Sequence, residues 1–120
     1  MINLDYFPDD LMALKTKIDK DILDKIDLIL LLGGTGIAVR DITIEAMQLI
    51  MTKELPGFGE EFRRRSYDQI KGNAFLSRST AGTKNHSLIV GLPGSPKAVE
   101  VGITLVLEFL GHANRLLKGG

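Results

Sequence analysis

The first thirty residues contain three successive patterns of hydrophobic and polar positions. Residues 2–6 alternate between apolar and polar side chains, which predicts a short β-strand. Apolar residues then recur at every third or fourth position over residues 10–26, which predicts an amphipathic helix with Asp9 or Asp10 as its N-cap. The continuous apolar run at 27–32 ends at two glycines and predicts a buried parallel strand.

The middle of the chain predicts two more helices. Thr43 is a favourable N-cap for a helix that continues to Ile50, with Glu45 in its first turn. The sequence Leu-Pro-Gly-Phe-Gly at 55–59 predicts a break in this pattern. A third helix is expected to follow at about 59–70.

A hairpin and a final helix complete the pattern. Residues 75–83 and 86–92 predict two strands that are joined by a tight turn at Lys84 and Asn85. Ser95 is expected to cap the last helix, with Pro96 in the first turn, where proline is favoured. Gly111 is a candidate break near the end of that helix.

This order of elements is typical of an α/β protein. We expect three layers, in which a mainly parallel sheet carries helices on both faces and includes one β-hairpin. The chain has 120 residues, which corresponds to a single domain over residues 1–120.

Charge and composition narrow the classes of function. The 15 basic and 15 acidic residues cancel, which argues against sequence-independent binding of nucleic acid. The first sixty residues hold 6 basic and 11 acidic residues and the last sixty hold 9 and 4, so the halves should attract each other, within one fold or between subunits. The absence of cysteine excludes disulfides and cysteine-ligated metals and fits a cytoplasmic location. No apolar run is long enough to span a membrane.

Three loops follow predicted strands, at residues 7–10, 33–43 and 92–95, and ligands of such sheets bind beyond the carboxyl ends of the strands. The run Gly33-Gly34-Thr35-Gly36 allows backbone N–H groups to approach an anion closely, although a tight turn with nothing bound explains it equally well. The run Pro93-Gly94-Ser95-Pro96 places the N-terminus of a helix at a strand end, where free N–H groups can bind an anion. A helix start with no ligand is the alternative there.

Polar residues near these loops are candidates for chemistry. Asp9 and Asp41 are suited to hold Mg²⁺ beside a phosphate, and capping or surface exposure is the alternative for each. Ser77 and Arg78 offer a hydroxyl group and a cation, or else form an exposed part of a strand. The arginines at 63–65 point about 100° apart on a helix, so at least two are expected on a solvated face or in a subunit contact. The two isolated histidines do not make a zinc site.

Taken together, the motifs resemble the molybdopterin adenylyltransferase family, which includes molybdenum cofactor biosynthesis proteins and the corresponding domain of gephyrin. The resemblance covers nearly the whole chain, in the order and spacing of the family. The segments that carry it are PDD at 8–10, GGTGIAVRDITIEA at 33–46, ELPGFGE at 54–60, Phe62-Arg63 with Ser66, LSR at 76–78 and LPGSP at 92–96.

The resemblance implies a function and a set of site residues. The family transfers AMP from Mg-ATP to the terminal phosphate of molybdopterin and releases pyrophosphate. Its catalytic aspartates fall on Asp9 and Asp41, which are also the candidate Mg²⁺ ligands. Its members are trimers or pairs of trimers, so a homo-oligomer that binds a pterin and a nucleotide is expected. The implied nucleotide- and pterin-binding residues are Gly33, Gly34, Thr35, Gly36, Thr43, Ser77, Arg78, Pro93, Gly94 and Ser95.

Two features depart from the family. Ile44 replaces a proline in the first turn of a helix, which should cost only rigidity. The family also begins one strand and one helix earlier, and its first strand is central in the sheet. Its absence predicts strands beside a gap with unpaired backbone. A misassigned start at Met1, a fragment, or a shortened relative without catalysis would each explain this difference.

Three other hypotheses stand beside the adenylyltransferase. A catalytically silent module that binds pterin or forms trimers fits the shortened pattern. The competence-damage-inducible proteins and the molybdopterin metal-insertion domains share the expected fold, but their glycine loops differ from that of this chain. Molybdenum and tungsten pathways are equally compatible with the motifs.

Overall fold

The structure, a computed structural model, describes residues 2–5 and 10–119 and has the expected α/β architecture. The predicted strand end at Tyr6, the loop residues 7–9 and the candidate catalytic residue Asp9 lie outside the described residues. The elements in chain order are β1 (Ile2–Asp5), α1 (Leu11–Leu23), β2 (Leu28–Leu32), α2 (Thr43–Ile50), β3 (Lys53–Glu54), α3 (Pro56–Ile70), a 3₁₀ helix (Lys71–Leu76), β4 (Thr80–Lys84), β5 (Ser87–Leu92) and α4 (Pro96–Leu117).

The five strands form one continuous sheet in the order β1-β2-β5-β4-β3. β1, β2 and β5 are parallel, whereas β4 is antiparallel to both β5 and β3. The expectation of strands beside a gap is wrong for the described residues. β2 pairs with β1 on one side, where Leu28 lies opposite Ile2, and with β5 on the other, where Leu28 lies opposite Leu88.

Each face of the sheet has its own core, because side chains of successive strand residues point to opposite faces. On β2, Ile29 and Leu31 pack with α1 and α2, whereas Leu28 and Leu30 pack with α3 and α4. Helices therefore cover both faces, as the apolar runs predict. The part of the chain that the structure describes contains no helix long and apolar enough to cross a membrane.

Among the described helices, a side chain caps the starts of α1 and α4, whereas α2 and α3 have no side-chain cap. Asp10 caps α1, since its Oδ1 accepts a hydrogen bond from the Ala13 amide at 2.9 Å. α1 ends at Leu23, earlier than predicted, because Lys25 takes a positive φ of 59°. α3 begins at Pro56 rather than 59, since proline is well placed in a first turn. Gly111 does not interrupt α4.

The region before β4 is not a strand, contrary to the prediction of one over 75–83. Residues 71–76 form the 3₁₀ helix, and β4 begins only at Thr80. The backbone between them makes its hydrogen bonds elsewhere, because the Arg78 amide donates to the Thr35 carbonyl at 2.8 Å. The predicted tight hairpin is confirmed, but its turn lies at Asn85 and His86, one residue later than predicted, because Lys84 is still part of β4 and pairs with Ser87. Asn85 takes a φ of 53° in this turn. The two-residue strand β3 was not predicted.

Candidate functional site

Two of the predicted loops meet at one edge of the sheet. β2 and β5 are parallel neighbours whose last residues, Leu32 and Leu92, lie opposite each other. The Gly33 amide donates to the Leu92 carbonyl at 2.8 Å, so the pairing extends into the loops. A Cβ atom at Gly94 would lie 3.7 Å from the Gly33 Cα atom. We call residues 33–42 the glycine loop and residues 93–95 the proline turn.

The glycine loop needs a residue without a side chain at Gly34. This residue has a φ of +70°, and a Cβ atom there would lie 2.4 Å from the Thr43 Oγ1 atom. The Thr43 hydroxyl donates to the Gly33 carbonyl at 2.7 Å, and the Thr43 amide donates to the Gly34 carbonyl at 3.0 Å. The first turn of α2 is therefore fastened directly to the start of the loop.

The predicted N-cap role of Thr43 is wrong. Ile42 occupies the N-cap position of α2 and no side chain caps this helix. The Thr43 side chain is buried, and its hydroxyl satisfies a loop carbonyl instead of a helix amide. A buried carbonyl needs such a donor, because leaving it unpaired is costly.

The glycine loop presents amide groups that have no acceptor within the described residues. Gly34, Thr35 and Gly36 donate no backbone hydrogen bond to any residue that the structure describes. The Thr35 side chain is buried, whereas the flanking glycines are partly exposed. Successive unpaired amides in a loop form a concave site suited to an anion.

The proline turn places the N-terminus of α4 beside these amides. Ser95 caps the helix, since its Oγ accepts a hydrogen bond from the Ala98 amide at 3.3 Å, and Pro96 is in the first turn. Gly94 and Ser95 are exposed. The long helix contributes the positive end of its dipole to this edge of the sheet.

Asp41 lies within the glycine loop and stabilises its turn. Its Oδ2 accepts a hydrogen bond from the Ala38 amide at 2.9 Å, and the Asp41 amide donates to the Ala38 carbonyl at the same distance. A Cβ atom at Gly36 would lie 2.8 Å from Asp41 Oδ2, so the carboxylate packs against this glycine. Asp41 caps a loop turn and not α2. Among the described residues nothing donates to its Oδ1.

Arg78 joins the glycine loop to α2. Its Nε donates to the Gly36 carbonyl at 2.8 Å and its Nη2 to the Asp41 carbonyl at 3.3 Å. Both of its terminal nitrogens also donate to the carboxylate of Glu45. This hydrogen bonding lowers the pKa of Glu45 and raises that of Arg78, so both groups are charged at neutral pH.

The neighbouring arginines have other roles. Arg63 points inward and donates to the Ser79 carbonyl at 2.8 Å, next to Ser77, whose hydroxyl donates to Ser79 Oγ at 3.0 Å. Arg64 and Arg65 both pair with Glu61, and their hydrogen bonds lower the pKa of Glu61 to about 2. The prediction that the three arginines do not all face one site is confirmed, since Arg63 contacts Ser79 whereas Arg64 and Arg65 share Glu61.

Two contacts were not anticipated from the sequence. The sequence predicts Glu45 in the first turn of a helix, and it does not predict which of the three arginines points inward. Nothing in the local pattern marks Glu45 as the partner of Arg78, which lies 33 positions further along the chain. The opposite net charges of the two halves are the one sequence signal of such pairs, and this pair joins the acidic half to the basic half.

No group of three or more histidine or acidic residues that could hold a metal ion occurs among the described residues. Whether Asp9 adjoins Asp41 is outside what the structure describes. One carboxylate is nevertheless compatible with Mg²⁺, which is commonly held by one or two carboxylates together with substrate phosphates. His112 lies 3.2 Å from an Arg115 nitrogen on the surface of α4, away from any acidic cluster.

An open α/β sheet with a glycine-rich loop at the carboxyl ends of its strands is typical of a class of small-molecule binding domains. Within this class, the chain belongs to the molybdenum cofactor biosynthesis family. The sequence model of this family, described as a probable molybdopterin binding domain, matches residues 1–112.

Individual relatives agree with this assignment. The chain is 45% identical over 101 residues to molybdenum cofactor biosynthesis protein B of Staphylococcus aureus strain Mu50. The aligned segment covers 83% of this chain and 60% of the relative. The chain thus spans about 60% of the length of the curated relatives it matches.

Solved structures show the same fold. A crystal structure of molybdenum cofactor biosynthesis protein B superimposes with a TM-score of 0.87 and 37% identity, covering 93% of this chain and 71% of that one. The tungsten cofactor synthesizing protein MoaB from Pyrococcus furiosus gives a TM-score of 0.78 and 35% identity, covering 88% and 71%.

Proposed function

We propose that this chain acts in the cytoplasm as a molybdopterin adenylyltransferase that uses Mg-ATP. In this reaction an oxygen of the terminal phosphate of molybdopterin attacks the α-phosphorus of ATP. The bond from that phosphorus to the pyrophosphate oxygen breaks, and adenylylated molybdopterin and pyrophosphate are released. Membership of the family supports involvement with molybdopterin, and the chemistry of the site supports the transfer of a phosphoryl-type group.

The observation that carries the proposal is the meeting of two anion-binding features at one edge of the sheet. The amides of Gly34, Thr35 and Gly36 have no acceptor among the described residues, and the N-terminus of α4 lies beside them. Both features are fixed before any ligand binds, because the strands and Thr43 hold them in place. Preorganised donors of this kind stabilise developing charge without reorganising, which is what a transfer between phosphates requires.

Asp41 is proposed to hold the Mg²⁺ that accompanies ATP, together with Asp9. Its Oδ2 accepts from Ala38, so Oδ1 is the oxygen available for a metal. A bound Mg²⁺ would neutralise charge on the phosphates, and the protein would supply only positioning and dipoles. Thr35, Ser77 and the proline turn are proposed to line the nucleotide and pterin pocket, and Thr43 to support the loop from behind through its bond to the Gly33 carbonyl.

A direct assay tests the proposal. Purified protein is mixed with molybdopterin and Mg-ATP, and adenylylated molybdopterin and pyrophosphate are measured by chromatography and mass spectrometry. Equimolar formation of both products supports the adenylyltransferase. Tight binding of molybdopterin without either product would reject it and favour the catalytically silent pterin-binding module.

The chain is also proposed to form a homotrimer or a pair of trimers. Several large apolar side chains are exposed on the isolated chain, among them Leu23 at 80% and Phe75 at 73%. Large exposed apolar groups are often covered by a partner. Light scattering of the purified protein should give three or six times the chain mass of 13.2 kDa, and a monomer would refute the assembly.

A further inference from the structure

The side chain of Arg78 is directed at the protein rather than at a ligand. It approaches the glycine loop from the segment between the 3₁₀ helix and β4. Its Nε donates to the Gly36 carbonyl, and its Nη2 is shared between the Asp41 carbonyl and Glu45. An arginine fork is rigid and planar, so these contacts fix the loop carbonyls relative to one another.

The backbone of Arg78 acts on the same loop. Its amide donates to the Thr35 carbonyl at 2.8 Å. The carbonyls of Thr35, Gly36 and Asp41 thus all accept from this one residue. These three hydrogen bonds fix the orientation of the peptide groups to which the carbonyls belong.

The carboxylate of Glu45 neutralises the charge of Arg78 and orients its guanidinium group through two hydrogen bonds. It lies in the first turn of α2, two residues after Thr43, which is itself bonded to the Gly33 carbonyl. The loop is consequently fastened at both ends, by Thr43 at its start and by Arg78 at its middle and end. The carboxylate of Asp41 is carried on the segment between Gly36 and Glu45.

From these contacts we infer that Arg78 is a positioning residue for the proposed reaction, acting with Glu45 to hold Asp41 and the amides of the glycine loop in their working arrangement. Arg78 holds the loop through the several N–H donors of its guanidinium group rather than through its positive charge. This inference rests on the proposed function for its catalytic consequence, but its structural part is independent of turnover.

The test compares Arg78→Met, Arg78→Lys and Glu45→Gln with the matched control Arg64→Met. Arg64 also forms a two-pronged pair with a glutamate, Glu61, but it lies on the exposed side of α3 and contacts no loop carbonyl. Amide hydrogen exchange of Ala38, Asp41 and Thr43 is followed by NMR, and thermal unfolding is recorded for every variant. In parallel, kcat and the KM for Mg-ATP are measured.

Arg78→Met should accelerate exchange of the loop amides at least about tenfold and lower kcat by about a hundredfold, since small misplacements of reacting groups have effects of this size. Arg78→Lys should not restore kcat, because an ammonium group cannot bridge the same carbonyls. Glu45→Gln keeps an acceptor for the guanidinium and should lower kcat less than Arg78→Met does. Arg64→Met should leave loop exchange and kcat unchanged.

Several results would overturn the inference. Recovery of kcat in Arg78→Lys would show that the charge alone matters. A change confined to the KM for Mg-ATP, with loop exchange unaltered, would show that Arg78 binds the nucleotide directly. If Arg78→Met does not fold, the Arg78→Lys variant decides by the same measurements. If the wild-type protein has no turnover, the proposed function fails, whereas the exchange data still support or reject the role of Arg78 in holding the loop.

Discussion

The glycine loop and the proline turn lie side by side at one edge of the sheet, yet they are held in different ways. The proline turn is held by its own sequence, since Ser95 caps the helix that follows and Pro96 favours its first turn. The glycine loop is held by residues on other elements, namely Thr43 on α2 and Arg78 before β4. A short turn is thus encoded locally, whereas the longer loop depends on the completed fold.

This difference has a physical cause. A loop of ten residues loses much conformational entropy when it is ordered, at roughly 1–2 kcal/mol for each residue. Local hydrogen bonds such as that from Ala38 to Asp41 offset only part of this cost. The contacts made by Arg78 and Thr43 offset a further part of it. Perturbing the two loops should therefore have unequal effects.

The largest effect is expected from Asp41→Asn. The amide side chain can still accept from the Ala38 amide but removes the negative charge proposed to hold Mg²⁺. We expect kcat to fall by about a hundredfold, as for the loss of other charge-stabilising groups, with little change in unfolding temperature. Asp68→Asn, an exposed position on α3, is the control. Full turnover in Asp41→Asn would contradict the assignment of Asp41.

A pair of glycine substitutions tests the comparison directly. Gly34→Ala forces a Cβ atom into a left-handed conformation and against Thr43 Oγ1, so it should destabilise the protein by about 2 kcal/mol. Gly94→Ala, in the proline turn, meets no atom closer than 3.7 Å and should cost far less. Urea denaturation measures both free energies of unfolding. If Gly34→Ala and Gly94→Ala lowered the free energy of unfolding equally, the proposed difference between the glycine loop and the proline turn would be contradicted.

Removing the helix cap probes the local encoding of the proline turn. Ser95→Ala deletes the acceptor for the Ala98 amide and should lower the free energy of unfolding by about 1 kcal/mol. Thr104→Ala, whose hydroxyl only donates to a carbonyl within α4, serves as the control and should have a smaller effect. Chemical denaturation at neutral pH compares the two. If Ser95→Ala lowered the free energy of unfolding no more than Thr104→Ala does, the cap at Ser95 would not be what holds the proline turn.

The smallest effect concerns pH and the pair of Glu45 with Arg78. Hydrogen bonding from Arg78 lowers the pKa of Glu45 in the folded protein below its value in the unfolded chain, which is about 4.3. The ion pair therefore stabilises the fold fully above about pH 4.3, and this stabilisation is lost as the pH falls through the pKa that Glu45 has in the folded protein. The pair is partly exposed, so its contribution should be below about 1 kcal/mol.

Denaturation of the wild type and Glu45→Gln at several pH values checks this expectation. The wild type should have a higher free energy of unfolding than Glu45→Gln at pH 7, and this difference between the two proteins should disappear in strong acid. Glu61→Gln provides a comparison on α3, where the pKa of the carboxyl is about 2. A difference for Glu45 that stays constant with pH would show that its charge does not contribute.

Much of the fold follows from the sequence. The apolar run of β2 and the helical spacing of α1 are local patterns, and the structure confirms both elements. The first part of the strand predicted over 75–83 was wrong because the Arg78 amide donates to Thr35 instead of to a neighbouring strand, whereas residues 80–83 do belong to β4. β3 was missed because two residues are too few to show a period, and its existence depends on pairing with β4.

The candidate site divides in the same way. The order of residues is enough to predict that glycines, Asp41 and a proline-initiated helix follow the ends of two strands, since residue chemistry and chain order are local properties. Three further features appear only in the folded protein: β2 and β5 are neighbours, Thr43 donates to a loop carbonyl rather than capping a helix, and Arg78 faces Glu45. These contacts join residues far apart in the chain, and only the packing of the whole sheet and its helices brings them together.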